Sequence, residues 1–519
     1  MSRARLLQSV ALMMAATLVG KALLLAREML IAHFFGASGL TDGYNVAMTV
    51  VTSLLAVTVA PVAAVLVPVY VEWLAQDRSE AQALLNTVFT LYLTILSFCL
   101  AVVTLGAPLW VQIYAPGFIA ETQALTVGLL RVLALFMVLN GFAGYLQQVL
   151  TAHHEFRLIS LASVAANLLA VVLLLALASH LGIAILAWGA VAGAALQLVI
   201  YLWGLRRYGI QQRLSLGQLD RLRKLGRLSL WMLGGHLAGQ LSVMVDRNLL
   251  SRLPAGAIAT LGFARNIYLL PFEVFTTGLT RVIITYFSWD AAHGDVTGLK
   301  RNFSLSIRLA AFFMIPATAG LIVLRFPIVR LLYERGEFTA ADTAATAPVV
   351  VCYAAGLFFE ATKFIAGRVY LSRQDTAFPV LMSLPSLAFS VGFDLLFIPW
   401  LGAAGVALAY TLSNLLISLI FVVRLRWQLG PMDGRRITRA TVKIVVAATV
   451  MGLAISGSTR LIRGLPDGLI HQIAVLALGM TVGSGVYLGM LTLLRLEELG
   501  IVRDIISNVV RRLPEGLMP

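Results

Sequence analysis

Three stretches of this chain set residues able to do chemistry inside apolar surroundings. Lys21, Arg27 and Glu28 fall in the first, Asp246, Arg247, Arg265 and Asn266 in the second, and Glu360, Lys363, Ser390 and Asp394 in the third. Arginine and lysine give charge-assisted hydrogen bonds to phosphate oxygens, so the cations point to an anionic ligand such as a pyrophosphate. Lys21 and Arg27 lie six residues apart, a rotation of about 240° on a helix, so they do not share one narrow stripe but can both line a broad cavity. The plainer alternative has Lys21 stretching to the interface and Arg27 pairing locally with Glu28. Asp246–Arg247 reads equally as an interfacial pair or as part of an ion site. Arg265, six residues before Pro271, has no carboxylate beside it in sequence, and a lone arginine at bilayer depth is expected to face a cavity rather than lipid. Glu360 and Lys363 stand at i and i+3 and can neutralise each other, as a staple or as a substrate contact. Asp394 is an isolated carboxylate with Ser390 one turn earlier on its face, oxygen donors suited to Na⁺ or a proton. No Walker A loop, nucleophile elbow or zinc-ligand cluster occurs, so no cofactor and no enzymatic chemistry is expected. Energy would come from Na⁺ or H⁺ coupling, the membrane potential or consumption of the transported product.

The elements that must position these groups are membrane helices. The chain is 519 residues long, 60% hydrophobic and 12% charged, with a mean hydropathy of +0.90. Soluble domains carry roughly twice that charge density, and one aqueous core could not hide so many apolar side chains. Cys99 and Cys352 both lie in apolar runs and make no disulfide framework. The first apolar run, from Leu6 onward, is too long for a signal h-region and lacks a small-residue cleavage site. Runs of about 20 residues or more are expected at 7–34, 42–72, 83–109, 126–150, 158–180, 183–205, 228–251, 257–286, 302–325, 346–371, 377–399, 402–425, 438–460 and 469–493.

The net charge of +15 sits in short clusters between these runs, as the positive-inside rule requires of a polytopic protein, and not as a nucleic-acid surface. Arg3 and Arg5, the 206–227 segment, Lys300 with Arg301, Arg435 with Arg436 and Arg439, and Arg503 with Arg511 and Arg512 all fall on one side if spans alternate. That side is expected to be cytoplasmic and to hold both termini, in a bacterial inner membrane. The 326–345 loop, with Arg330 and Arg335, is the exception on the other side. A repeat at a spacing near 220 pairs Arg27 with Arg247, Gly36–Ala37 with Gly256–Ala257, Pro108–Gly117 with Pro327–Gly336, and Phe156 with Phe378. The fold expected is all-α, with about fourteen transmembrane helices in two pseudo-symmetric six-helix lobes plus two C-terminal helices. The lobes would be 1–205 and 228–425, joined by a basic linker at 206–227 and followed by 426–519. Parallel repeats of this kind are a transporter architecture with the substrate between the halves.

At this point the residues resemble a known family. Lys21…Ala26-Arg27-Glu28…Phe35-Gly36-Ala37…Thr41-Asp42-Gly43-Tyr44 looks like the opening of the MurJ (MviN) lipid II flippases of the MOP superfamily. The likeness continues at Leu66-Val67-Pro68, Ala115-Pro116-Gly117-Phe118, Tyr333-Glu334-Arg335-Gly336-Glu337-Phe338-Thr339 and Tyr370-Leu371-Ser372-Arg373-Gln374-Asp375. It implies fourteen helices in two lobes, a cationic central cavity for a polyprenyl-linked pyrophosphate, and a groove on the last two helices for the tail. It implies substrate roles for Arg27, for Lys21 in the place of a family arginine, and for Asp42. It also implies Na⁺ ligands, with Asp246 and Asp394 the nearest counterparts. Two departures stand out. The run from Met48 to Val71 has no charge where the family carries an arginine pair, and Arg265 sits one residue before the family's arginine position, here Asn266.

The function expected is therefore a flippase that moves a polyprenyl-pyrophosphate-linked cell-wall precursor outward by alternating access, as a monomer among membrane lipids. Cell-wall or polysaccharide synthesis enzymes are candidate protein partners. The alternatives are a related flippase for an exopolysaccharide, a multidrug-type ion-coupled exporter, a membrane enzyme acting on the same lipid, and a non-transporting scaffold.

Overall fold

The computed structural model describes the backbone of residues 3–208, 210, 213–217, 219–461 and 468–500, with side chains left undescribed at 3–17, 60–65, 68, 75, 219–232, 277–282 and 461. The tail cluster Arg503, Arg511 and Arg512, and the side chains of Arg3, Arg5, Pro68, Arg221, Arg223, Lys224 and Arg227, lie outside the described residues.

Every regular element among the described residues is a helix. In order they are α1 (Arg3–Phe35), α2 (Gly39–Thr58), α3 (Ala60–Gln76), α4 (Arg78–Leu105), α5 (Ala107–Tyr114), α6 (Ala120–Ala152), α7 (Phe156–Leu181), α8 (Ala184–Arg206), α9 (Leu219–Leu250) and α10 (Ala257–Ala292). Then follow α11 (Val296–Val323), α12 (Arg325–Tyr333), α13 (Ala340–Ala354), α14 (Leu357–Ser372), α15 (Ala377–Leu381), α16 (Ser383–Leu401), α17 (Ala403–Leu429), α18 (Gly434–Leu461) and α19 (Leu469–Leu493). Among the described residues ten helices are long and apolar enough to cross a membrane, and eleven if the bent pair α13–α14 is one span. Only helices satisfy every backbone polar group inside lipid without a partner strand.

Two of the expected spans are broken near mid-run, and the 377–399 run is interrupted near its start, at Met382 between α15 and α16. The 42–72 run divides at Val59, where Pro61 in the first turn of α3 has no N–H to give the preceding turn. The 346–371 run bends by 41° between α13 and α14. At the bend, a Cβ on Gly356 would lie 2.6 Å from the Thr411 hydroxyl, which itself donates to the Cys352 carbonyl at 2.7 Å. A hydroxyl from the neighbouring helix thus satisfies a carbonyl near the break, as hydroxyls do in membrane bundles.

The chain divides into two compact units, 1–259 and 260–519. In the first, α6 packs on α2, α4 and α8, and α7 on α1 and α8. The α9 helix, expected to open the second half, packs on α2, α3 and α5 in the first unit. Glycine brings α7 and α8 together: a Cβ on Gly193 would stand 2.9 Å from the Ala166 carbonyl, the close backbone approach on which apolar helices rely when lipid gives no hydrophobic drive to associate. Buried tyrosines add area and fix helix depth with their hydroxyls, Tyr145 donating to the Leu85 carbonyl at 3.0 Å and Tyr92 to that of Val59 at 3.2 Å. In the second unit α17 packs on α13, α14 and α16, while α18 packs on α11 and α19.

The repeat is visible in the backbone itself. Positive φ occurs at Gly36 and Gly256, at His154 and Gln374, and at Gly182 and Gly402, each pair separated by 220 residues. Two of these residues are not glycine, so the left-handed turn there is imposed by the helix ends on either side.

Candidate functional site

In the first unit Arg27 and Glu28 of α1 line a cavity of about 480 Å³ with Tyr44, Asn45, Asn140, Asn167 and Gln197. An adjoining cavity of about 290 Å³ is lined by Lys21, Gln147, Ser160 and Tyr201. The two share Ser163, Asn167 and Gln197, so Lys21 and Arg27 open onto one continuous polar surface despite their different helix faces. The Arg27 guanidinium donates to the Tyr44 hydroxyl, and its carbon stands 5.9 Å from the tyrosine ring centre. This contact holds the charge against α2 and fixes the direction of a side chain that would otherwise rotate freely. Asn167 and Gln197 are themselves anchored, Asn167 to the Ser163 carbonyl at 2.9 Å and Gln197 to the Tyr201 hydroxyl at 2.8 Å. A cationic end beside neutral amides and hydroxyls can bind a phosphate and its attached sugar hydroxyls in one pocket.

Asp42 does something else. It is 2% exposed, and its two carboxylate oxygens accept the Gly256 amide at 2.6 Å and the Ala259 amide at 2.7 Å. Those amides begin α10, so the carboxylate caps that helix from α2 and meets the positive end of its dipole. Arg247, the repeat partner of Arg27, acts electrostatically on the same carboxylate. Gly256 is at φ 92°, and a Cβ there would collide with the Ala37 carbonyl at 2.1 Å. Only glycine admits both the turn and this approach. Asp246 sits half-buried beside Arg247 on α9.

In the second unit Glu360 and Lys363 do not close on each other as a simple staple. Glu360 accepts the Tyr410 hydroxyl at 2.8 Å and Lys363 donates to the Asn414 carbonyl oxygen. Tyr410 and Asn414 are one turn apart on α17, so the two charges stitch α14 to α17 by parallel rungs. Arg265, exposed on α10, acts electrostatically on Glu360 and on Tyr410, with Asn266 half-buried next to it. Ser390 and Asp394 are the two buried residues of α16, at 6% and 0% exposure, on a helix otherwise turned outward. No cluster of three or more His, Cys, Asp or Glu able to hold a metal occurs among the described residues.

The charges of the first cavity stood out in sequence; its amides did not. Asn140, Asn167 and Gln197 carry no charge, yet an amide inside an apolar helix also demands a partner, and that signal was there to be read. The Ala115–Phe118 and Tyr333–Thr339 motifs are structural. The Gly117 amide donates to the Ser251 hydroxyl at 3.1 Å and abuts the Ser251 carbonyl, while Tyr333 and Phe338 pack on Phe263, with ring centres 4.8 and 5.4 Å away.

A duplicated, all-helical apolar scaffold with a cationic, amide-lined cavity is that of a polytopic membrane transporter. Its fold is shared with a MATE multidrug transporter of the MOP superfamily in an inward-facing conformation, at TM-score 0.68 and 15% identity over 79% of this chain and 94% of that one. It is closer to a solved lipid II flippase MurJ in an inward closed conformation, at TM-score 0.79 and 21% identity over 96% and 100%. The sequence profile of the family described as lipid II flippase MurJ matches residues 31–466, and the chain belongs to that family. A probable lipid II flippase MurJ of Synechocystis is 30% identical over 80% of each chain, and the lipid II flippase MurJ of Burkholderia cenocepacia 27% identical over 92% and 95%.

Proposed function

We propose that this protein flips a lipid II-like, polyprenyl-pyrophosphate-linked cell-wall precursor from the cytoplasmic to the outer leaflet by alternating access. Membership of the family supports the substrate class, and the Arg27 cavity supports the chemistry. A guanidinium held by Tyr44 and a second cation at Lys21, sharing one polar surface, suit a pyrophosphate, while Asn140, Asn167 and Gln197 suit sugar hydroxyls. In this reading Arg27 and Lys21 neutralise the head group and Glu28 tunes the charge of Arg27, while Arg265 and Asn266 are candidate substrate contacts within the second unit. Ser390 and Asp394, and separately Asp246, are candidate ion-coupling sites for Na⁺ or H⁺. Fourteen spans with both termini cytoplasmic, and action as a monomer, complete the proposal.

The uncharged run from Met48 to Val71 favours a second, narrower reading. A wall with fewer cations than the family pattern fits a different saccharide on the same carrier, such as an exopolysaccharide unit. The deciding experiment is depletion of the protein in its host with mass spectrometry of polyprenyl-linked intermediates, complemented by variants. Accumulation of lipid II with lysis, rescued by wild type but not by Arg27→Ala, is the expected result. Normal growth with accumulation of another lipid-linked oligosaccharide would move the substrate to that polymer. Full rescue by Arg27→Ala would remove the cavity from the mechanism.

A further inference from the structure

Arg330, one of the two arginines that break the charge asymmetry of the loops, lines a cavity in the second unit. Arg325 and Arg330 of α12, Arg460 near the end of α18, Ser456 of α18, and His471 and Gln472 of the first turn of α19 line one cavity of about 480 Å³. The ends of α11 and α18 and the start of α19 gather these residues at one end of the unit. Arg330 is paired with Glu334 at 3.4 Å. Arg325 gives one nitrogen to the Ile322 carbonyl at 2.6 Å and lies over the Phe326 ring at 4.9 Å. Among the described residues neither Arg325 nor Arg460 has a carboxylate partner. The Nδ1 of His471 is sealed from solvent and has no hydrogen-bond partner among the described residues.

We propose that this cavity binds a phosphate-bearing anion, at a site separate from the Arg27 cavity. A guanidinium fork matches phosphate geometry, and a hydroxyl, an amide and an imidazole N–H complete its shell with donors. The bound anion explains why arginines persist on the face where the positive-inside rule disfavours them. Leu469, Ile470 and Ile473 leave an exposed apolar strip at the same end of α19, where the acyl chains of a lipid would lie. The phosphate therefore comes from an anionic lipid head group or from free phosphate. The site does not depend on the flippase reading, because none of its residues lines the Arg27 cavity.

The test is calorimetric titration of the full-length protein in neutral detergent with short-chain phosphatidylglycerol, short-chain phosphatidylcholine and inorganic phosphate. Arg325→Gln/Arg460→Gln is compared with Arg325→Lys/Arg460→Lys, and thermal melts confirm that both fold. The expected result is phosphatidylglycerol binding that weakens about tenfold or more in the glutamine variant and partly recovers in the lysine variant. Inorganic phosphate bound with the same loss, while the lipid is not, supports the site and assigns its ligand to the free anion. Equal affinity of both lipids, no binding of any probe, or no change in the glutamine variant would overturn the proposal. Loss confined to Arg27→Ala would also overturn it and would place the binding in the first unit.

Discussion

In the first unit Asn45, Asn140, Ala190 and Ala194 line the Arg27 cavity. The residues 220 positions later are Arg265, Glu360, Tyr410 and Asn414. Where the first repeat has two alanines and leaves space, the second has a tyrosine and an asparagine that fill it and bond to Glu360 and Lys363. Tyr410 also packs against Tyr268 and Tyr353, with ring centres 6.4 and 5.7 Å away. One scaffold thus serves two ends: small residues keep one copy hollow for a ligand, and large polar residues bind the helices of the other into a rigid wall. Duplication lets a bundle carry both, because loss of packing in one copy is not repeated in its mate.

The largest effect should come from making the first copy like the second. Ala190→Tyr with Ala194→Asn would fill the Arg27 cavity, so complementation should fall at least about tenfold while the protein still folds and melts cooperatively. Undiminished transport would show that the cavity is not the route of the head group. Breaking the stitch in the second copy should act on stability instead. Lys363→Met leaves the Glu360 carboxylate without its near cation and should cost about 3 kcal/mol, while Glu360→Gln/Lys363→Met should regain most of it. A double variant no more stable than the single one would mean that the two rungs are independent. Reversible unfolding in detergent reads both.

A smaller and different loss is expected at Asp42. Asp42→Asn removes the charge that caps α10 and should lower stability by about 1–2 kcal/mol without changing affinity for a soluble pyrophosphate. A selective loss of pyrophosphate binding, with the melting temperature unchanged, would return Asp42 to the ligand site. The sequence pointed to this residue through family resemblance, and resemblance reports importance rather than cause. Its partners are Gly256 and Ala259, more than two hundred residues on, and no local pattern announces them. Arg27 was legible because a charge in an apolar run is conspicuous; Tyr44, which orients it, was not, because a tyrosine in a helix is ordinary. The apolar runs and the repeat were legible because lipid enforces both. The bend at Gly356 was not, since it depends on Thr411 of another helix.

The smallest effect separates the two copies at one turn. After α6, His153 hydrogen-bonds through Nε2 to the Tyr70 hydroxyl at 3.0 Å and stacks on Tyr208 at 4.5 Å. Tyr208 donates to Glu155, and burial beside that carboxylate pushes its own pKa up to about 12. Burial, helped by neighbouring His154 and by Arg78, also holds the pKa of His153 below its ordinary value of 6.5, against the pull of Glu155. The unfolded chain therefore takes up a proton first as pH falls. Stability should be full above about pH 6.5 and should decline as pH falls through the lower native value. At the equivalent turn of the second copy Arg373 donates to Gln428 at 2.6 Å, a contact between a guanidinium and a neutral amide. Replacing His153 and Tyr208 by Arg and Gln, the residues of the second copy, should flatten the decline between about pH 7 and pH 5. Because His153 is partly exposed, the change should amount to a few tenths of a kcal/mol, or well under about 1 °C in melting temperature, so it is read from the pH dependence of unfolding rather than from a single melt. An acid-side slope that survives the double replacement would assign the titration to other groups and leave the two turns equivalent.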